Sequence, residues 1–404
     1  IADINLEFDD DGKIKKNFYV NGFLKDGKID LFKKYKFEKI DFNFIIDNKK
    51  TQFQDLSFLY NELELFVEKI NTRNVKNGII VDGKLNNKNL EIKKKFLKDF
   101  IDEDVLDIHN INFDSNSIFS FKLDKKFKIK DLKFKSEIKL NEMVLQNKYD
   151  LDQYLPKVKK KIILSRHNIS IDFDKDKYSV SGVGDILLQN TKNRINYSIK
   201  KNKKVIFNSS LDIKSDPLFI NFLNFKNQEN DLTKININGQ INKSGNIQFD
   251  EINLVNNKNV IKAQKILLNK NFKILSISKV FFKYFDEQNI QNNFILENKN
   301  NDYILKGKIF NGNNLLKTLL DDSKNTSLPF ENQFKLIIQL ETVRLDEEFN
   351  VDNFQGYLKF KNKNFMDVNL NGIFENGKKL KFIVKSQNNE KITIFYSDLA
   401  KPFI

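Results

Sequence analysis

The sequence contains no cysteine and no tryptophan, and only two methionines, two histidines and four prolines occur among its 404 residues. The absence of cysteine excludes disulfide bonds, thiol chemistry and thiolate metal sites. No apolar run approaches the roughly 18 residues that a membrane-spanning helix requires. The chain begins at Ile1 without a signal-peptide pattern, so we expect a fragment or a processed product whose anchor or signal lies upstream.

Motifs for catalysis or metal binding are scarce and incomplete. His109 and His167 have no second histidine at metal-ligand spacing and no nucleophile beside them, and the alternation around His167 favours a structural role. Residues 172–176 resemble the start of a calcium loop, but the glycine and the glutamate that such a loop needs are missing. Gly182 and Gly184 form half of a dinucleotide fingerprint, and no helix follows them. The sequence therefore predicts a protein that is not an enzyme and that uses no cofactor and no metal.

The net charge of +15 is spread along the chain instead of being concentrated in a block. Lysine, asparagine, isoleucine and phenylalanine are abundant together, which is the bias that an AT-rich coding sequence would give, so the charge is a weak functional signal. The lysine runs at 93–95 and 159–161 favour solvated strand and turn surface, with anion binding as the alternative. Because no nucleic-acid-binding module is recognisable, we predict no nucleic-acid partner.

The clearest structural signal is the alternation of apolar and polar residues, which is strongest in residues 334–396. A side-chain period of two predicts strands with one apolar and one solvated face. Short polar turns, often Asn-Gly or Asp-Gly, separate the runs and favour antiparallel hairpins. Spacing of about 12 residues per strand and turn predicts roughly 25 to 30 strands. We therefore predict an all-β fold, a long antiparallel meander curled into an elongated open groove.

Few helices are predicted. Helical spacing indicates a short helix or helical turn at 96–101, and short helices are also predicted near 217–225 and 313–321. Pro156 is the best internal boundary, so the predicted parts of the β-groove are 1–156 and 157–404.

An ordered pattern extends over the C-terminal third, in residues 303–322 (YILKGKIFNGNNLLKTLLDD), 334–374 (FKLIIQLETVRLDEEFNVDNFQGYLKFKNKNFMDVNLNGIF) and 391–403 (KITIFYSDLAKPF). It consists of a strand, a leucine-rich helix, a strand ending in Val-Arg-Leu, an N-x-x-G strand, a v-x-L-x-G strand and an SD-x-A segment. This pattern resembles the AsmA-like superfamily, in particular the YhdP-type and TamB-type proteins of Gram-negative bacteria. Residues 167–186 (HNISIDFDKDKYSVSGVGDI) are similar to the middle region of the same proteins.

The resemblance implies a periplasmic segment of a protein that an N-terminal helix, missing here, anchors to the inner membrane. It also implies that phospholipids move along the groove between the inner and outer membranes and that the protein supports outer-membrane integrity. The expected partners are thus phospholipids and both membranes, and membrane-protein partners stay undefined. The family motifs assign no functional residues.

Candidate lipid contacts come from the alternation itself, because acyl chains need an unbroken apolar track and no specific hydrogen bonds. The inward residues of the clearest runs are Ile169, Ile171, Phe173, Val205, Phe207, Leu336, Ile338, Leu340, Leu358, Phe360, Val368, Leu370, Leu380, Phe382, Val384, Ile392 and Ile394. The alternative is a structural or adhesive protein of stacked β-sandwiches without a ligand, in which the same residues form a closed core.

Overall fold

The protein has an all-β fold in a computed structural model. The structure describes residues 1–404 except 16, 32–34, 98–106, 149–150, 153, 228–230, 272, 301, 314–332, 346–347, 362–363, 388–389 and 402–404. Two compact units are present. Unit 1 comprises Ile1–Lys148, Lys159–Leu188 and Arg194–Lys203, and unit 2 comprises Tyr149–Val158, Gln189–Asn193 and Lys204–Ile404. The boundary predicted at Pro156 lies in a segment of unit 2, whereas the two strands that follow it belong to unit 1.

Strands of unit 1 follow each other as an antiparallel meander. They are β1 (Ala2–Asn5), β2 (Tyr19–Leu31), β3 (Tyr35–Asp47), β4 (Lys50–Tyr60), β5 (Leu63–Val75), β6 (Gly78–Lys93), β7 (Ile108–Leu123), β8 (Ile129–Gln146), β9 (Lys161–Asp174) and β10 (Lys177–Leu187), and most of β11 (Lys192–Lys201) also belongs to this unit. From β1 to β10, each strand pairs with the next in antiparallel orientation.

Unit 2 continues the same architecture. Its strands are β12 (Val205–Ile213), β13 (Phe219–Ile220), β14 (Phe225–Lys226), β15 (Thr233–Ile241), β16 (Ile247–Asn256), β17 (Asn259–Leu268), β18 (Ile274–Phe285), β19 (Gln291–Lys299), β20 (Asp302–Asn311), β21 (Phe334–Arg344), β22 (Asn350–Lys361), β23 (Asn364–Phe374), β24 (Lys379–Gln387) and β25 (Glu390–Ser397). Of the described strands, 23 belong to one sheet, and β13 and β14 form a separate pair. The predicted all-β meander is therefore confirmed.

The pair β20–β21 departs from the antiparallel pattern. β20 and β21 run parallel, with Tyr303 opposite Leu336 and Asn311 opposite Arg344. A parallel neighbour requires the chain to return along the strand before it pairs. Residues 314–332, between these strands, and with them most of the helix predicted at 313–321, lie outside the described residues.

Bulges interrupt the strands of unit 1, and side chains of neighbouring strands satisfy the backbone at two of them. The Asp26 N–H donates to Asp41 Oδ1 at 2.6 Å, and the Asn89 N–H donates to Asp114 Oδ1 at 2.7 Å. Left-handed backbone conformations within these strands occur at Asp26, Lys39, Asp55, Asn89, Asp131 and Arg166. Because each bulge adds a residue to one strand and increases the local twist, the bulges bend the sheet of this unit.

Helical structure is minimal among the described residues. The helix α1 (Lys94–Leu97) overlaps residues 96–97 of the helical turn predicted at 96–101, and residues 98–106 lie outside the described part. The helix predicted near 217–225 is reduced to a 3₁₀ turn, Asn221–Leu223, inside the β13–β14 hairpin. The turn stops there because Asn224 adopts a left-handed conformation, with φ of 52°.

Candidate functional site: the apolar faces of the sheet

A transverse row of large apolar side chains crosses unit 1 on one face of its sheet. Directly opposite residues of paired strands point to the same face, so the strand register defines the row. The aromatic row consists of Phe44, Phe53, Ile70, Gly83, Phe119, Phe134, Phe173 and Tyr178, from β3 to β10. All residues of the row are partly exposed, so solvent reaches this face of the sheet.

Glycines in the strands of unit 1 make room for rings on this face. A Cβ atom at Gly83 would overlap the ring of Phe119. Gly182 lies beneath the ring of Tyr197 in the same way, and Gly184 lies beneath His167. The two glycines that resemble half of a dinucleotide fingerprint are thus explained by ring packing.

Beside the aromatic row, on the same face of unit 1, lies a pair of opposite polar residues. Ser117 and Ser136 lie opposite each other, are 4% and 3% exposed, and join their hydroxyl groups by a hydrogen bond of 2.7 Å. Ile171 lies opposite Ser136 and is partly exposed. Because each hydroxyl group has the other as its partner, the serine pair leaves no unsatisfied hydroxyl group on the apolar face.

Charged side chains occupy the opposite face of unit 1. Lys84 Nζ lies 2.7 Å from Glu68 Oε2, and Lys135 Nζ lies 3.1 Å from Asp172 Oδ2. Ile118 lies between Lys84 and Lys135 in the register and is 52% exposed. The two faces of unit 1 therefore differ sharply in polarity, as the alternation predicts.

His167 is a buried structural residue in unit 1. It is 1% exposed, its Nε2 lies 2.9 Å from the carbonyl oxygen of Asp185, and its Nδ1 lies 3.4 Å from the Tyr197 hydroxyl. Burial of the Asp185 carboxyl opposes its ionisation, but hydrogen bonds from Arg166 and Arg194 outweigh burial and lower its pKa. These contacts account for both side chains without a catalytic role.

Unit 2 has a comparable row over twelve strands, but most of its C-terminal part is buried. The register aligns Ser209, Ile237, Ile252, Ala263, Val280, Leu296, Leu305, Ile338, Gly356, Leu370, Phe382 and Phe395. Val368, Ile338 and Leu370 are only 1%, 2% and 3% exposed, and the predicted contacts Leu340, Leu358, Phe360, Leu380 and Val384 are also buried. A ligand would find almost no accessible surface on these side chains.

The other predicted contacts are more accessible. Ile169, Ile171 and Phe173 of unit 1 are partly exposed, and so are Val205, Phe207, Leu336 and Phe382 of unit 2. The accessible predicted residues therefore lie in β9 and β12, with one further position each in β21 and β24.

The predicted orientation of Ile392 and Ile394 is wrong. Phe382 lies opposite Phe395, and Val384 lies opposite Thr393, so the two isoleucines point to the other face of the sheet. Both are 50% exposed there. The cause is the register of the β24–β25 hairpin, in which Gln387 pairs with Glu390, since the more apolar parity of β25 faces away from the core.

The β13–β14 hairpin, in a segment where the sequence predicts a helix, covers part of the apolar face of unit 2. Phe225 is 1% exposed and packs edge-to-face on Tyr284, whose hydroxyl donates to the Leu223 carbonyl at 2.7 Å. Burial, and secondarily the charge of Asp286, raise the pKa of Tyr284 well above its ordinary value. The predicted cover of the apolar face is therefore present here, built from a hairpin.

Buried carboxylate and amide groups fix the strand ends of unit 2. Asp286 Oδ1 accepts the N–H groups of Gln288 and Ile290, while its Oδ2 accepts the side-chain amides of Asn292 and Asn311 at 3.2 and 2.7 Å. Asp216 similarly accepts the side-chain amide of Asn193 at 2.7 Å. The sequence gives no signal for these networks, because asparagine is abundant in loops throughout the chain.

One carboxylate on the solvated face of unit 2 has two lysine partners. Glu297 accepts from Lys279 and Lys306, each at 2.8 Å, and these hydrogen bonds lower the pKa of Glu297 to about 2.

A cavity of about 420 Å³ adjoins the aromatic row of unit 1, and Gly83, Phe119 and Phe134 contribute to its lining. A cleft of about 630 Å³ opens where the β5–β6 ladder ends, and it is lined by Leu63, Glu64, Phe66 and residues 86–91, mostly with polar side chains. Within the described part of the chain, no three side chains of histidine or acidic residues come together as a metal site.

Comparison of the chain with protein-family models, curated proteins and solved structures finds no match. The geometry defines the class: an all-β protein with a predominantly antiparallel sheet, which in unit 1 has one apolar and one charged face. The described helices include none with the length and hydropathy of a membrane span.

Proposed function

We propose that this chain is a non-catalytic lipid-binding segment that carries phospholipid acyl chains along the apolar face of its sheet. The observation that supports it most directly is the aromatic row of unit 1, which crosses eight strands and stays partly exposed. Hydrocarbon chains bind by removing such surface from water, at about 25 cal/mol per Å². They require neither charges nor directed hydrogen bonds, and the aromatic row carries no charged side chain.

The bulges of unit 1 favour a curled form of the sheet, which would turn the aromatic row inward as the wall of a groove. In keeping with the AsmA-like resemblance, we propose that the groove works in the periplasm, between the inner and outer membranes, and supports outer-membrane integrity. An anchor to the inner membrane would come from a segment outside this chain.

Lipid extraction tests the proposal. We expect organic extracts of the purified chain to contain phospholipid by mass spectrometry. Phe134→Glu places a carboxylate in the aromatic row and should remove that lipid. Ile118→Glu is the matched control, because it places the same charge on the opposite face between Lys84 and Lys135.

Far-ultraviolet circular dichroism should show that both variants keep their strand content. Equal lipid in the two variants, or none in the unsubstituted chain, would contradict the proposal.

The second candidate is a ligand-free structural protein, and the burial of β21–β24 favours it for that part of unit 2. Side chains at 1–3% exposure, such as Val368 and Leu370, pack as a closed core does. Phe134→Glu leaves every residue of unit 2 unchanged. If lipid co-purifies with the unsubstituted chain but not with this variant, the ligand binds in unit 1 alone.

A further inference from the structure

The β7–β8 hairpin presents an unusually exposed apolar tip in unit 1. Phe127 is 72% exposed and Ile129 is 60% exposed. Lys125, Lys126 and Lys128 flank the phenylalanine, and all three side chains are exposed. An aromatic ring held in water among cations gains free energy when a partner with an apolar layer and anionic groups takes it up.

Hydrogen bonds hold this turn in one conformation. The Phe127 N–H donates to the Asp124 carbonyl at 2.9 Å, and Asp124 Oδ1 accepts the N–H groups of Lys126 and Lys128 at 2.8 and 3.0 Å. The hydrogen bond from the Lys128 N–H, followed by those from Lys126 and Lys130, lowers the pKa of Asp124. The turn therefore needs little ordering when it binds, which preserves affinity.

The hairpin also projects beyond the neighbouring turn. Lys133 of β8 lies opposite Asp174, and the Lys175 N–H donates to the Leu132 carbonyl, where β9 turns into β10. β8 begins four residues earlier, at Ile129, so the tip extends about 13 Å further at 3.3 Å per residue. A flat surface that approaches this edge would meet the tip before it meets the β9–β10 turn.

Acidic groups around the tip are already engaged. Asp124 pairs with Lys130 and Asp131 pairs with Lys175, each at 3.2 Å. The flanking lysines of the turn therefore give the tip an excess of positive charge.

We propose that the β7–β8 tip docks on the surface of an anionic phospholipid bilayer. Phe127 enters the interface between head groups and acyl chains, and the flanking lysines contact lipid phosphates. A bilayer fits better than a nucleic acid, because single-stranded nucleic acid is bound in a basic groove with several stacking platforms, whereas this tip is convex and carries one ring. The inference goes beyond the proposed function, since the docking tip and the aromatic row lie on different parts of unit 1.

The lack of tryptophan in the chain permits a direct test. Phe127→Trp introduces a single tryptophan, which can be excited selectively over the 11 tyrosines, at the tip. We expect its emission to shift to the blue with vesicles of phosphatidylglycerol and phosphatidylcholine, and to stay unchanged with phosphatidylcholine alone. Lys160→Trp, at an exposed position before the start of β9, is the control and should not shift with either vesicle. No shift at position 127, or equal shifts at both positions, would overturn the proposal.

Vesicle flotation of the whole chain measures the charge contribution. Replacing Lys125, Lys126 and Lys128 together by Gln should weaken binding on the order of 100-fold, since each lysine near an anionic surface contributes about 1 kcal/mol. The matched control replaces the three exposed lysines at 159–161 by Gln and should change binding less than about threefold.

Phe127→Ala should weaken flotation on the order of tenfold through the lost apolar burial. If the two triple variants lose vesicle binding equally, only diffuse electrostatic attraction is present. That result would refute specific docking by the β7–β8 tip. Binding of single-stranded RNA by the tip without vesicle binding would also refute it. Lipid extraction from the charge variant, expected to be unchanged, separates this outcome from failure of the proposed function.

Discussion

Substituting Gly83 by alanine tests whether the aromatic row is packed as the structure shows. The new methyl group would overlap the ring of Phe119, so the ring must leave its position above β6. Overpacking of this kind costs about 1 to 3 kcal/mol, while replacing glycine by alanine inside a strand returns about 0.5 to 1 kcal/mol. We therefore expect Gly83→Ala to lower the free energy of unfolding by about 1 to 2 kcal/mol.

A double-mutant cycle isolates that contact. In a Phe119→Leu background, no ring lies over Gly83, so the alanine should cost nothing or stabilise slightly. The two sites should then show a coupling energy of about 1 to 2 kcal/mol in urea unfolding followed by circular dichroism. Additive effects, within about 0.5 kcal/mol, would refute the stacking of Phe119 on the glycine and with it the shape of the row.

Three further outcomes follow from the structure. Leu370→Ala should lower the free energy of unfolding by about 2 to 5 kcal/mol in urea titrations. Ile394→Ala, on the exposed face, should change it by less than about 1 kcal/mol. Similar losses of stability in the two variants would contradict the assigned faces. Tyr284→Phe leaves the buried carbonyl of the covering hairpin without its donor and should cost about 1 to 3 kcal/mol by the same assay, and a neutral result would argue against that cover. The pKa of Glu297 is depressed to about 2, so its contribution is present above its ordinary pKa of 4.5 and is lost as pH falls from there toward 2. Acid titrations of Glu297→Gln should show a weaker stability loss in that window, and an unchanged profile would contradict the ion pairs.

Alternation in the sequence was sufficient to predict which residues share a face within most strands. Ile338 and Leu370 lie inward as predicted, because one buried face fixes the register of each strand, and Leu370 also has polar neighbours on both sides. The same reasoning failed at Ile392 and Ile394, where a hairpin offset of one residue reverses the face and the exposed parity happens to be the more apolar one.

The degree of burial was not predictable. Ile171 and Val368 belong to equally regular alternating runs, yet the first is partly exposed and the second is 1% exposed. The difference depends on what packs against each face, which is a property of the tertiary structure. The hairpin at 217–227 was missed for a related reason, since its short apolar run fits a helix or two short strands equally well.

Polar groups inside the fold were the least predictable part. The role of Asp286 depends on the close approach of Asn311, which lies 25 residues further along the chain. The exposure of Phe127 was likewise not predictable, because the chain contains 39 phenylalanines and most of them follow the strand pattern.

The parallel junction between β20 and β21 has a consequence for how unit 2 folds. Antiparallel hairpins form by zipping neighbours together over a few residues, at a small entropic cost for each added strand. β21 has no such local start on β20, because 22 residues separate Asn311 from Phe334. We therefore expect the hairpin series β15–β20 and β21–β25 to form separately, and we expect their joining to be the slower, long-range step of folding.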